Sequence, residues 1–187
     1  IGTVFCHSKI EQPIRNIMQA WTELENQDTP FQVVGLKPEQ EFEIKNNIFL
    51  RAFTTHHTVP SLGFVVLERR SKLKSQFKGL SQEKLVALKK KGEQITQTLE
   101  IPLICYTGDT YFGPMFQRQD VRQVKILISE CTFLDPDHVG RSKIGKHMHL
   151  HNILDVLETC QAEAVVLTHL SRRTHLREIR EQIDQVV

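Results

Sequence analysis

The stretch IPLICYTGD, residues 101–109, decides the fold class. A short continuous apolar run that stops at a turn signal reads as a strand buried on both faces, because a half-exposed strand would alternate polar and apolar residues. Two later runs repeat the pattern: VKILISE, residues 124–130, and AVVLTH, residues 164–169. Helical stretches are predicted after the later runs, roughly 143–160 and from Thr174 to the C-terminus. Strand and helix alternate, so the class is α/β. Each run also ends in a polar residue able to do chemistry, namely Asp109, Glu130 and His169. Sites in layered α/β proteins gather at strand carboxyl ends, and three such residues on a shared edge make a candidate site.

Working outward from this region, KIEQPIRNIMQAWTEL (9–24) places Ile10, Ile14, Ile17, Trp21 and Leu24 at the spacing of an amphipathic helix, with Pro13 near its first turn. EFEIKNNIFLRAFTTHHTVPSLGFVVLERR (41–70) reads as strand, turn, strand, punctuated by Pro60 and Gly63. SQEKLVALKKKG (81–92) reads as a short helix with Ser81 as N-cap and Gly92 beyond its end. There is no internal repeat or Pro/Gly linker. The chain opens IGTVFC, inside a strand and with no initiator methionine. We therefore expect further sequence upstream, with residues 1–187 forming the C-terminal part of a single domain.

The 24 basic and 22 acidic side chains leave a formal charge of +2, too small to argue for nucleic acid by itself. No apolar run approaches the ~20 residues needed to span a bilayer. The four cysteines (Cys6, Cys105, Cys131, Cys160) show no paired spacing, and three fall within or beside apolar runs. This predicts reduced, mostly buried thiols and a cytoplasmic location.

Neutral imidazole and carboxylate are good zinc ligands, and a carboxylate can bridge two cations. His57, Asp109 and His169 lie far apart in sequence, as ligands assembled by a sheet do. Taken singly, His57 reads as a turn residue beside Pro60 and His169 as a strand cap; together with YTGDT and THLSRR they read as a site. HMHLHN (147–152) comes close to the zinc-binding pattern His-x-His-x-Asp-His. Its continuation, HMHLHNILDVLETC, predicts a helix instead, with His147 and His151 on one face and His149 pointing elsewhere.

In order and spacing, AFTTHHTVPSLGF (52–64), YTGDT (106–110), SECTF (129–133), KHMHL (146–150) and THLSRR (168–173) resemble the later motifs of ribonuclease Z, the tRNA 3′-processing branch of the metallo-β-lactamase superfamily. The resemblance covers most of the chain. It implies a metallo-β-lactamase-like αββα sandwich with its N-terminal portion missing. It also implies that His57, Asp109 and His169 are metal ligands, Asp109 bridging two zinc ions. His147 matches a proton-donating histidine. Glu130 and Thr132 match the family's His-Glu-Ala-Thr, making Glu130 a second catalytic residue, while Ser129 and Cys131 depart from that motif. Ser171 and Arg173 match a phosphate-handling Ser-x-Arg, and Thr174 stands where a tyrosine is common. The family's His-x-His-x-Asp-His loop lies upstream of all these motifs, so HMHLHN is not that loop. Tight binding of two metals by these residues alone is therefore not expected.

The function so implied is zinc-dependent, endonucleolytic removal of 3′ trailers from a tRNA precursor, with a homodimer suggested by the same resemblance. Two other readings remain open: a hydrolase of a small ester, thioester or phosphodiester on the same fold, and a non-catalytic relative lacking the zinc loop. The run from Arg69 and Arg70 through Lys72, Lys74, Lys78 and Lys84 to Lys89, Lys90 and Lys91 reads equally as a phosphate-contacting patch or as a solvated helix whose C-terminal lysines suit the helix dipole.

Overall fold

The computed structural model describes residues 2–26, 30–171 and 174–185. Its first unit is a strand–helix–strand. β1 (Gly2–His7) and β2 (Phe31–Leu36) pair in parallel, joined through α1 (Glu11–Glu25). α1 falls where the periodicity predicts it. Pro13 sits in its first turn, where no helical partner exists for the missing N–H. Asn26 (φ 49°) ends it in the left-handed conformation that releases the chain. Ile17, Trp21 and Leu24 on its apolar stripe are exposed.

A six-stranded sheet follows, in the order β3-β4-β5-β6-β7-β8. Its strands are β3 (Glu41–Lys45), β4 (Ile48–Thr54), β5 (Leu62–Leu73), β6 (Thr96–Tyr106), β7 (Ile126–Glu130) and β8 (Ala164–Thr168). Pairing is antiparallel from β3 to β6 and parallel from β6 to β8. Residues 41–70 thus hold three strands, not the two expected. A tight turn at Asn46–Asn47, with Asn47 at φ 63°, divides the first of them. Asparagine tolerates that backbone conformation, and without glycine the turn is easily missed. β5 and β6 form a long ribbon, and α2 (Gln82–Lys90) lies in the connection at its far end. Ser81 precedes α2 but its side chain makes no capping hydrogen bond.

The remaining helices are α3 (Gln119–Arg122), α4 (Val139–Gly145), α5 (Leu150–Leu157) and α6 (Leu176–Asp184). The single helix expected over 143–160 is two. Lys146 takes a left-handed φ of 55°, and the His147 amide turns back to the Ser142 carbonyl at 3.0 Å. A non-glycine residue gives no sequence signal for such a break. His147 consequently lies between helices and does not share a helix face with His151.

The period-two alternation of the strands separates two apolar clusters across the sheet. On one face Leu50, Ala52 and Leu62 pack with Leu36 of β2, joined by Phe5, Phe42, Phe64 and Val66. On the other, Phe53, Val65, Leu67, Cys105 and Leu127 pack with Val121 of α3, Ile153 and Val156 of α5 and Ile179 of α6. The small sheet, the large sheet and the helices are therefore layered, as the expected sandwich requires. Gly63 is required at its position, because a Cβ there would overlap the ring of Phe53. Among the described residues, no helix is long and apolar enough to cross a membrane.

Candidate metal centre

The site is built where β6, β7 and β8 end. After β6 the chain passes Thr107 and Gly108 (φ 60°) into Asp109; Glu130 closes β7; His169 follows β8 directly. The Thr107 amide continues the ladder to the Ile128 carbonyl at 3.0 Å, and the Thr110 hydroxyl accepts the His56 amide at 2.9 Å. These bonds fasten the loop after β6 to both neighbouring segments. His169 has φ 56°, a strained conformation for a side chain-bearing residue and one that persists only where its surroundings enforce it.

Glu130 organises the interior of the site. Its side chain is 1 % exposed, and a carboxylate that buried must be supplied with donors. Oε1 accepts the Thr110 amide at 2.7 Å and lies 2.8 Å from His147 Nδ1; Oε2 accepts the Thr132 hydroxyl at 2.6 Å. The carboxylate acceptor makes Nδ1 the protonated nitrogen of His147 and leaves Nε2 to the open side.

Asp109, His147 and His169 each offer a ligand atom, and these atoms all lie within 4.8 Å of one another. His169 Nε2 and Asp109 Oδ2 are 3.6 Å apart. That is too long for a hydrogen bond. It matches the ~3.4 Å between two ligands placed ~2.1 Å from one tetrahedral cation. The donor set is imidazole and carboxylate, so the residues present fit a divalent metal. His57 stands one ring further out, its ring centre 5.0 Å from that of His147, which in turn stacks at 5.0 Å on His169. His57 Nδ1 is 3.2 Å from the Lys146 carbonyl, which can only accept, so its Nε2 lone pair is free. The close cluster thus differs from the ligand set implied by sequence: it contains His147, with His57 at its margin. The Thr110 amide and the Lys146 carbonyl were not anticipated; adjacency to Asp109 and His147 was the only signal for them.

HMHLHN divides into two groups. His147 belongs to the cluster above. His149 is buried as the N-cap of α5, and its side chain accepts the His151 amide while Asn152 returns a bond to the His149 amide. The two Nδ1 atoms of His149 and His151 are 2.8 Å apart. His151 lies within α5, as the helix reading requires, whereas His149 caps it, forming a capping box with Asn152.

Ser171 lies two residues past His169, its amide donating to the Thr132 carbonyl at 3.2 Å. Arg173 lies outside the described residues. Arg69 and Arg70, for which phosphate contact was one of two open readings, have carboxylate partners: Arg69 pairs with Glu41 and Glu100, and Arg70 with Glu68. Lys72, Lys78, Lys84, Lys89, Lys90 and Lys91, around the end of the β5–β6 ribbon, are exposed.

Residues 2–170 match the model of the beta-lactamase superfamily domain. The chain is 31% identical over 183 residues to "tRNase Z TRZ2, chloroplastic" of Arabidopsis thaliana, covering 96% of this chain and 52% of that protein. It is 29% identical over 184 residues to "tRNase Z TRZ1" of the same plant, covering 97% and 66%. The chain therefore spans only about half to two-thirds of the length of these relatives. Among solved structures, the short form of human tRNase Z superposes with a TM-score of 0.59 at 20% identity, covering 91% of this chain and 61% of that one. This likeness shows the shared metallo-β-lactamase fold. A domain match over nearly the whole chain, on a sheet whose strand ends gather a metal-type cluster, shows that the chain belongs to the beta-lactamase superfamily, and its relatives within that superfamily fit the ribonuclease Z branch.

Proposed function

We propose that this chain carries the C-terminal half of the active centre of a ribonuclease Z-type phosphodiester hydrolase acting on a tRNA precursor. The observation that carries the reading is the Asp109–His147–His169 cluster placed directly against the Glu130 carboxylate. In this reading zinc is held by Asp109, His169 and the free Nε2 of His57, and the remaining ligands come from a segment upstream of residue 1. A divalent metal bound there would supply water activated at neutral pH and neutralise phosphoryl charge.

The chain's own residues have separate tasks. Glu130 holds the His147 ring by accepting Nδ1–H; in the imidazolium form the second proton sits on Nε2, faces the cluster and can be passed to the departing oxygen, leaving the neutral Nδ1–H ring. Ser171 and Arg173 are assigned to the phosphate. The exposed lysines at the end of the β5–β6 ribbon are assigned to RNA backbone contacts, a salt-sensitive and sequence-independent role. Arg69 and Arg70 are not assigned to the phosphate backbone in this reading, since each is paired with a carboxylate. The same reading includes a homodimer, and a cytoplasmic location supported by four free thiols.

The test is cleavage of a 3′-extended tRNA by the protein with its upstream segment and zinc. RNA of mature length is the expected product. Cleavage of bis-p-nitrophenyl phosphate with uncut RNA would move the substrate to a small phosphodiester. No cleavage of either would leave a non-catalytic relative.

A further inference from the structure

We propose that Thr132 is a positioning residue whose hydroxyl fixes His169 as the Nδ1–H tautomer and so aims the lone pair of Nε2 at the metal position. The inference rests on the reading of His169 as a ligand. Its evidence is a relay of two short contacts. The Thr132 Oγ1 lies 2.6 Å from Glu130 Oε2 and 2.7 Å from His169 Nδ1. A hydroxyl has one proton to give, and a carboxylate can only accept. The Thr132 proton therefore goes to Glu130, and the hydroxyl oxygen must accept from His169 Nδ1–H. A neutral imidazole protonated at Nδ1 carries its lone pair on Nε2, the atom 3.6 Å from Asp109 Oδ2.

Glu130 thus orders both histidines of the close cluster, His147 directly through Oε1 and His169 through the Thr132 hydroxyl on Oε2. The backbone of Thr132 contributes as well, its carbonyl accepting the Ser171 amide at 3.2 Å. The left-handed turn at His169 is therefore held at the ring and again two residues later. Outer partners of this kind set ligand tautomer and orientation, and their loss typically weakens metal binding by ~10–100-fold. Serine keeps the hydroxyl, whereas valine keeps the shape and removes it.

The experiment is nitrogen-15 NMR of the histidine rings in the metal-free 187-residue chain above the imidazole titration range, followed by zinc titration read on the same signals. The wild type is expected to show His169 protonated at Nδ1 and unprotonated at Nε2. Thr132→Val should mix or invert the tautomers and weaken zinc binding at His169 by at least ~10-fold, and Thr132→Ser should restore both. A wild-type His169 protonated at Nε2 would overturn the proposal without any variant. So would Thr132→Val retaining the tautomer, or a folded Thr132→Ser that behaves like valine. The tautomer result is independent of substrate: a protein that shows the relay but leaves RNA uncut sinks the functional reading and keeps this one.

Discussion

His147 Nδ1 lies 2.8 Å from Glu130 Oε1, so the turn between α4 and α5 is tied to the end of β7. Replacing Glu130 by glutamine gives one oxygen for three donors, because the amide nitrogen cannot accept. Glu130→Gln should lower the hydrolytic rate by ~10²–10⁴-fold, the usual worth of a positioned proton-transfer group. Its cost in stability should be smaller, about 1–3 kcal/mol for the buried donor left unpaired. Steady-state cleavage of bis-p-nitrophenyl phosphate together with thermal melting separates the two effects; a rate within threefold of wild type contradicts the assigned role.

Gly63 and Gly140 make a matched pair for the packing account. A Cβ at Gly63 overlaps the buried Phe53 ring, whereas one at Gly140, inside α4, meets nothing within 4 Å. Gly63→Ala should destabilise by about 1–3 kcal/mol through overpacking. Gly140→Ala should be neutral or stabilise by up to ~1 kcal/mol through helix propensity. Urea denaturation measures both, and equal midpoints would refute the contrast.

Burial holds the His149 imidazole below its ordinary value, outweighing the opposing hydrogen bond to the Asp135 carbonyl. The unfolded chain then takes up this proton first as pH falls. The stability contributed by neutral His149 is complete above the ordinary imidazole pKa of ~6.5 and is lost as pH falls through the lower native value. Asparagine also caps helices but does not titrate in this range. The midpoint of unfolding for His149→Asn should therefore drop less between pH 7.5 and 5.5 than that of the wild type. Parallel pH profiles would show that His149 is not responsible.

Burial also pushes the Cys131 thiol up to about 12, with the neighbouring Glu130 charge adding to the shift, and it raises Cys105 as well. Only the thiolate is alkylated, so at pH 8 Cys131 should react about a thousandfold more slowly than an ordinary thiol. Iodoacetamide labelling followed by peptide mass analysis should find Cys105 and Cys131 unmodified in the native protein and modified in denaturant. Rapid native labelling of Cys131 would place Glu130 in a more open site than the one described.

The strands at the site were legible because each writes a continuous apolar run, and Asp109, Glu130 and His169 could be placed from the ends of those runs alone. The burial on both faces expected of these strands is not found: β8, at the edge of the sheet, has no buried residue, and in residues 101–106 of β6 only Cys105 is buried. What escaped reading was set by backbone conformations that carry no residue signature. Asn47 and Lys146 adopt positive φ without glycine, which hid a hairpin and split a helix. The split changed the reading of HMHLHN: His147 moved off the helix into the cluster, and His149 became its cap. The sequence left the role of Arg69 open for a different reason. Glu41 and Glu100, the partners of Arg69, lie 28 and 31 residues away in sequence and become neighbours only through strand pairing. The Thr132 relay was invisible because a threonine beside a strand end is ordinary composition, and only the two distances on its hydroxyl distinguish it.

The most direct test of the divided metal centre is the zinc content of the purified 187-residue chain after equilibrium dialysis, compared with Asp109→Asn. In the proposed reading only part of the ligand set, Asp109 included, lies on this chain. This reading predicts no more than one loosely held zinc per chain, and none in the variant. Two firmly held zinc ions, or zinc retained by Asp109→Asn, would contradict it.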